Sequence, residues 1–196
     1  MKKIILLFSA LLMMQLVSNA QKIKVTDGDL SFLKNIAELN IVFEYPEDIK
    51  VGKMSQQEYI DKKVAEKEEK EAGSGEMWKE AYFSDRSEHF EPMFIELFDK
   101  YTDDLYVQQD DADYKYTMII KTTFIEPGFN IGIHSKKAAL DLQISFIETV
   151  NPNNILATIS LRKSPGTAHY DTGLRIGESY AKAGKELGKL LRKKYL

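Results

Sequence analysis

The sequence predicts an α+β fold, in which a mainly antiparallel sheet carries helices packed on its apolar face. Three consecutive segments alternate apolar and polar side chains with a period of two, which is typical of strands with one buried face. They span residues 114–126, 137–149 and 155–162. Two helical patterns, 85–101 and 172–194, supply apolar stripes to cover the sheet. No repeat is visible, so residues 21–196 are predicted to form a single domain.

The alternation is clearest in the second segment. Leu140, Leu142, Ile144 and Phe146 share one face of it, and polar or small residues occupy the other. An Asn-Pro-Asn-Asn link at 151–154 predicts a tight turn and antiparallel pairing with the third segment, because proline fixes φ and asparagine tolerates left-handed geometry.

Two further strands are predicted near the start of the chain. Residues 37–45 alternate in the same way and are closed by Pro46, which cannot donate to a strand ladder. Residues 23–25 form a shorter candidate that ends before Gly28.

A helix is predicted to begin at Ser55 and to run to about Glu71. Ser55 and Glu58 have the spacing of a capping box, in which each side chain satisfies a backbone N–H of the other. The charged end of this helix, 66–71, is interpreted as a solvated face. The aromatic stripe of 85–101 is interpreted as core, with Pro92 tolerated only in a first helical turn.

The last helix carries Gly177, Gly184 and Gly188 on one stripe. Each glycine costs a helix about 1 kcal/mol relative to alanine, so their presence indicates close backbone approach. Tight docking across the sheet is the favoured interpretation, and helix–helix contact in a homo-oligomer is the alternative.

The basic end of that helix, Lys189, Arg192, Lys193 and Lys194, complements the negative end of the helix dipole. The same residues are candidates for peripheral contact with anionic membrane lipids.

The first 20 residues have the form of a signal peptide. Lys2 and Lys3 precede an apolar run, 4–17, that is shorter than the roughly 20 residues needed to span a bilayer. The small residues that follow predict cleavage after Ala20. The expected location is therefore the periplasm or the extracellular space.

Composition excludes several kinds of chemistry. There is no cysteine, hence no disulfide, thiolate or lipid-modified N-terminal cysteine. Loss of Lys2 and Lys3 with the leader lowers the basic count from 27 to 25 against 30 acidic residues, a net charge of −5. That balance argues against nucleic acid as a partner.

No catalytic or metal-binding motif stands out in the sequence. The chain has no G-x-S-x-G, and its histidines, His89, His134 and His169, show no zinc-ligand spacing. The acidic stretch 103–113 lacks the glycine and distal glutamate of a calcium loop and is interpreted as a solvated turn. No cofactor is expected.

The link 127–134 is unusually apolar for a loop between strands. It either continues the strands, folds back under the helices through a twist or bulge, or projects as a tip that binds a partner. Folding back is the favoured interpretation, because soluble monomers usually avoid an exposed apolar patch. The tip hypothesis assigns partner binding to five residues: Phe129, Asn130, Ile131, Ile133 and His134.

Two resemblances bear on the expected role. The order of strand, polar turn, strand and striped helix over 112–196 is similar to the periplasmic α/β domain of the curli export lipoprotein and its relatives. The segments 28–33, 122–130 and 172–176 resemble a group of secreted bacterial envelope proteins without known activity. The first resemblance implies an envelope role, although the lipid-anchoring cysteine is missing here.

Two classes of function follow. The first is a non-catalytic periplasmic or secreted envelope module that binds a partner protein or envelope component. The second is a hydrolase of envelope or dietary polymers, whose best residues would be His134, His169 and the acids near Asp110. His134 or His169 within hydrogen-bond reach of a buried carboxylate in a cleft would favour the hydrolase, and both exposed and unpartnered would argue against it.

Overall fold

A computed structural model describes residues 21–111 and 113–196. The predicted signal peptide and its cleavage site lie outside these residues, as does Ala112. The strands are β1 (Lys22–Gly28), β2 (Glu38–Glu44), β3 (Lys50–Val51), β4 (Met54–Ser55), β5 (Tyr106–Gln109), β6 (Tyr116–Glu126), β7 (Phe129–Asn130), β8 (Ser135–Lys136), β9 (Ala139–Glu148) and β10 (Asn151–Pro165). The α-helices are α1 (Gln56–Glu68), α2 (Ser74–Asp85), α3 (Glu91–Thr102) and α4 (Thr172–Lys194).

The main sheet has the strand order β1-β10-β9-β6-β2-β5. Pairing is antiparallel from β1 through β6 and parallel from β6 to β2 and β5. β3 extends the sheet beside the end of β6 and pairs with β4, while β7 and β8 form a separate hairpin. The predicted α+β class with a mainly antiparallel sheet is confirmed. The single-domain assignment of 21–196 stays a prediction.

The predicted strand boundaries agree with β2, β6 and β9 to within two residues. The turn between β9 and β10 differs, because it falls at Thr149 and Val150 instead of at 151–154. The Asn-Pro-Asn-Asn stretch begins β10, where the register shifts between Asn151 and Ile155. Such an irregularity accommodates a proline that has no N–H to donate.

The inner face of the sheet carries the alternating apolar residues predicted for it. Those fully or almost fully buried include Leu39, Ile41, Met118, Ile120, Leu140, Leu142, Ile144, Phe146, Ala157, Ile159 and Leu161. The helices α3 and α4 cover this face with Phe94, Phe98, Tyr180 and Leu187. This layer is the hydrophobic core.

One inward-facing position of β6 carries a polar residue, and the register shifts directly after it. Thr122 is fully buried, and the pairing with β9 slips between Thr122 and Phe124. The Thr122 hydroxyl hydrogen-bonds the phenol of the buried Tyr180 on α4 at 2.6 Å. Phe124, expected on the apolar face, is therefore displaced toward solvent. The hydrogen bond fixes α4 over one position of the sheet.

The glycine stripe of α4 faces α3, not the sheet. A Cβ atom at Gly184 would lie 2.2 Å from the Phe94 carbonyl oxygen, and one at Gly188 would lie 2.9 Å from that of Phe98. Both distances are shorter than real Cβ contacts. The expected close backbone approach is present, but it joins two helices of the same chain.

The predicted helix 85–101 is part of a longer helical segment. A π-helical turn, Arg86–Phe90, joins α2 to α3 without a break. Pro92 is the second residue of α3 and closely follows this π-helical turn, which interrupts the regular α-helical hydrogen bonding. The capping box at Ser55 and Glu58 is present at the start of α1.

The outer face of the sheet is polar. The Thr26 hydroxyl donates to the Thr158 carbonyl at 3.1 Å, and Arg162 pairs with Asp141 at 3.3 Å. The side chains that the alternating pattern predicts to be solvent-exposed therefore lie on this face.

We expect Gly184→Ala to destabilise the protein by about 1–3 kcal/mol, because the added methyl group forces α3 and α4 apart. The loss occurs although alanine is the better helix former by about 1 kcal/mol. Thermal unfolding measures it, with the exposed Glu178→Ala of the same helix as control. An unchanged or higher melting temperature would show that the helices relax freely.

Thr122→Val is expected to cost about 1–3 kcal/mol, because it leaves the buried Tyr180 hydroxyl without its partner. The double change Thr122→Val with Tyr180→Phe is expected to cost less than the two single changes together. Chemical denaturation of the four proteins completes the cycle. If the losses of unfolding free energy in the two single variants add up to that of the double variant, the result would contradict a direct interaction between Thr122 and Tyr180.

Candidate binding trough

The link 127–134 forms a projecting hairpin. Phe129 pairs with Lys136 and Asn130 with Ser135, and the Ile131 N–H donates to the His134 carbonyl at 3.0 Å. Gly132 turns the tip at φ 84°, a conformation that L side chains rarely adopt. Of the three alternatives, the projecting tip is the one observed, and folding back beneath the helices is wrong.

The apolar side chains of the tip are exposed to solvent. The exposed fraction is 43% for Phe129, 66% for Ile131 and 91% for Ile133. His134 is exposed as well. Such a group on one small hairpin exceeds the scattered exposure that is normal for single apolar residues.

Asn130, the fifth residue assigned to the tip, has a bracing role. Its amide nitrogen donates to the Ala168 carbonyl at 2.6 Å, and its amide oxygen accepts from the Gly132 N–H at 2.9 Å. The hairpin is thus fixed to the loop that precedes α4.

Arg175 anchors the base of the same hairpin. The residue is 4% exposed, and its guanidinium donates to the Pro127 carbonyl at 2.8 Å and to the Thr172 hydroxyl at 3.0 Å. It also donates to the carbonyls of His169 and Tyr170. Burial lowers the pKa of Arg175, and these acceptors compensate the buried charge. No sequence motif marks this role, because all the acceptors except the Thr172 hydroxyl are backbone carbonyls.

A trough lies between the hairpin, α1 and α2. Four aromatic residues line it: Tyr59, Trp78, Phe129 and Tyr170. Its volume is about 400 Å³, and it continues past Phe129 into a hollow of about 330 Å³ and past Trp78 into one of about 240 Å³. We call this surface the aromatic trough. Its size is within the range of ligand sites in proteins.

Ring contacts within α2 and between α1 and α2 hold Trp78 and Tyr59 in place. Trp78 stacks on Tyr82 with ring centroids 5.4 Å apart, and Tyr59 meets Trp78 edge-on at 5.9 Å. Burial raises the pKa of Tyr59 to about 12, so its hydroxyl keeps its proton at neutral pH. Tyr170 is 72% exposed and stands beside Gly132 of the tip.

Lysines from α1 and the following turn line one side of the trough. Lys63 pairs with Glu66 at 2.7 Å. Lys67 and Lys70 line the trough too, and neither has a carboxylate within 4.0 Å among the residues that the structure describes. The interpretation of 66–71 as only a solvated face missed this, because the sequence does not show that α2 and the hairpin pack beside it.

The turn after α1 is fixed by Glu68. Its carboxylate accepts from the N–H groups of Gly73 and Gly75 at 2.7 and 2.9 Å. The bond from Gly73 is the main reason that the pKa of Glu68 is lowered. This clamp sets the direction of α2 and hence the position of Trp78.

Asp85 lies at the far end of the trough. Its carboxylate hydrogen-bonds His89 at 3.1 Å and abuts Gly173, where a Cβ atom would overlap it. Burial raises the pKa of Asp85, and the nearby Asp171 adds to the effect.

The hydrolase alternative gains no support from the histidines assigned to it. His134 is exposed, and His169 accepts a hydrogen bond from the Asp171 N–H at 3.1 Å within one loop. In the described ranges neither side chain is hydrogen-bonded to a carboxylate. Nor do these residues include a group of three or more His, Cys, Asp or Glu side chains placed to share a metal ion.

The basic end of α4 is partly engaged within the chain. Arg192 pairs with Asp103, and Lys189 pairs with Glu186 at 3.5 Å. Lys193 and Lys194 are exposed. Among residues 21–111 and 113–196, no helix is both long and apolar enough to cross a bilayer. Membrane contact through this end stays a prediction.

The raised pKa of Asp85 predicts a specific pH dependence. The folded protein binds the Asp85 proton more tightly than the unfolded chain does. Protonated Asp85 therefore contributes its full stabilisation at pH values below its pKa in the unfolded chain. This stabilisation is lost as the pH rises through its pKa in the folded protein. Relative to Asp85→Asn, the native protein should therefore lose stability as pH rises above the ordinary pKa of an aspartate, about 4. Urea unfolding at several pH values measures the difference, with Glu88→Gln as control. A constant difference would contradict it.

Comparison with known proteins identifies no family. No family model matches the chain, and no curated protein matches it. Two similar solved structures are PelC dodecamers from Paraburkholderia phytofirmans, one of them a variant with a single leucine-to-methionine substitution. They are 9% and 10% identical, with TM-scores of 0.43 and 0.41, and each match covers 86% of this chain and 98% of the other. At such low sequence identities and TM-scores, this similarity assigns neither a family nor a function to the chain.

Proposed function

We propose that the protein is a non-catalytic periplasmic or secreted envelope module that binds a partner protein or envelope component through the β7–β8 hairpin. The observation that carries the proposal is the exposure of Phe129, Ile131 and Ile133 together on one braced projection. Burying each of these side chains against a partner would contribute roughly 1.5–3 kcal/mol.

The bracing of the hairpin supports a binding role. Arg175 and Asn130 hold its base and its first strand against the body of the protein. A projection that is already ordered loses less conformational entropy on binding than a flexible loop would. The apolar tip is therefore presented in a form suited to recognition.

The double change Phe129→Ser with Ile131→Ser tests this function. Because both side chains are substantially exposed, we expect a nearly normal melting temperature together with loss of the material that the native protein retains from an envelope fraction. Affinity retention and thermal unfolding are measured on the same preparations.

The matched control is Val150→Ser with Ile155→Ser. These residues are 91% and 57% exposed and lie at the opposite end of the β9–β10 pair. The control should keep both stability and retention. A tip variant that melts normally and retains the same material as the native protein would end the proposal.

A further inference from the structure

The aromatic trough combines two kinds of side chain that point to one class of ligand. It presents rings of Tyr59, Trp78, Phe129 and Tyr170, and its rim carries three lysines and one glutamate, Glu66, which pairs with Lys63. Aromatic ring faces bear partial negative charge and pack favourably on C–H groups that bear partial positive charge. Lysine ammonium groups attract carboxylates or other anions.

We propose that the aromatic trough binds a segment of an acidic polysaccharide. The C–H faces of its sugar rings lie on Trp78 and Tyr170, and its carboxylates pair with Lys67 and Lys70. The inference rests on the proposed function, since it names the envelope component that binds beside the hairpin.

The two cations are available for such a ligand. Lys62 and Lys63 share Glu66, at 3.8 and 2.7 Å, whereas Lys67 and Lys70 have no ion pair among the described residues. The rim therefore offers two cations, on Lys67 and Lys70, that no carboxylate among the described residues neutralises by an ion pair.

The shape of the trough argues against an acyl chain as the ligand. A fatty chain is best bound in an enclosed apolar cavity, where its whole surface leaves water. Here the trough is an open surface channel with lysine, threonine and asparagine among its lining residues. Such a channel suits a ligand with hydroxyl groups on its exposed side.

The backbone beside the trough argues against an acidic peptide. Peptides in extended grooves gain much of their affinity from main-chain hydrogen bonds. The Gly128 N–H already donates to Glu126 at 3.2 Å, and the Ile131 N–H to His134 at 3.0 Å. A glycan needs no such donors, because side chains and ring faces supply its contacts.

Titration calorimetry with three probes tests the proposal on the purified chain. A short oligogalacturonate is expected to bind, whereas a neutral malto-oligosaccharide of the same length and poly-L-glutamate are expected to bind at least about fivefold more weakly. Raised salt should weaken the oligogalacturonate binding, because exposed ion pairs are screened.

The decisive variants change the rim and the floor separately. Lys67→Gln with Lys70→Gln should weaken oligogalacturonate binding about three- to tenfold, as expected for two exposed ion pairs. Tyr170→Ala should weaken it about fivefold through loss of one ring face. Their controls are Lys193→Gln with Lys194→Gln and Tyr106→Ala, which alter exposed residues elsewhere and should bind normally.

Three outcomes would overturn the inference. They are no binding of oligogalacturonate, equal weakening by the control variants, and equal or tighter binding of poly-L-glutamate, which would indicate a peptide ligand. If the native protein still retains envelope material through its tip in any of these cases, the proposed function stands without this ligand. If it retains nothing, the proposed function fails as well.

Discussion

The close contact between α3 and α4 is the constraint on which the rest of this structure depends. Gly184 and Gly188 leave room for backbone atoms of α3 where any side chain would collide. The two helices therefore cover the sheet as one unit, with Phe90 stacked on Tyr180 at 5.0 Å. The buried hydrogen bond from Tyr180 to β6 then fixes where that unit lies on the sheet.

Because α4 is fixed, its first turn can organise the surface around the hairpin. Asp171 caps the helix by accepting from the Leu174 N–H at 2.8 Å, which sets the direction of the preceding loop. One turn later, Arg175 holds that loop and the base of the hairpin together. The contact between α3 and α4 thereby helps to determine the geometry of the trough beside the first turn of α4.

The sequence predicts what depends on local pattern and misses what depends on tertiary contact. The alternation in 137–149 and the helix 172–194 are both confirmed, since burial on one face dictates each pattern. Parallel pairing of β2 with β6 leaves no such local signal. Within the site, glycines and apolar residues in the sequence indicate the hairpin. The sequence does not predict that Lys67 and Trp78 line the same trough, because that depends on the packing of α1 and α2 against the hairpin.

Charge explains why the rings of the trough matter as much as its lysines. The whole chain is acidic, with a formal net charge of −3, so a distant polyanion is repelled. Screening limits that repulsion to about 8–10 Å at ordinary ionic strength, and within the trough three lysines outnumber the one carboxylate, Glu66. Exposed ion pairs contribute only about 0–1 kcal/mol each. An anion that cannot also cover Trp78 or Tyr170 therefore gains little here, and the trough selects ligands that carry charge and apolar ring faces together.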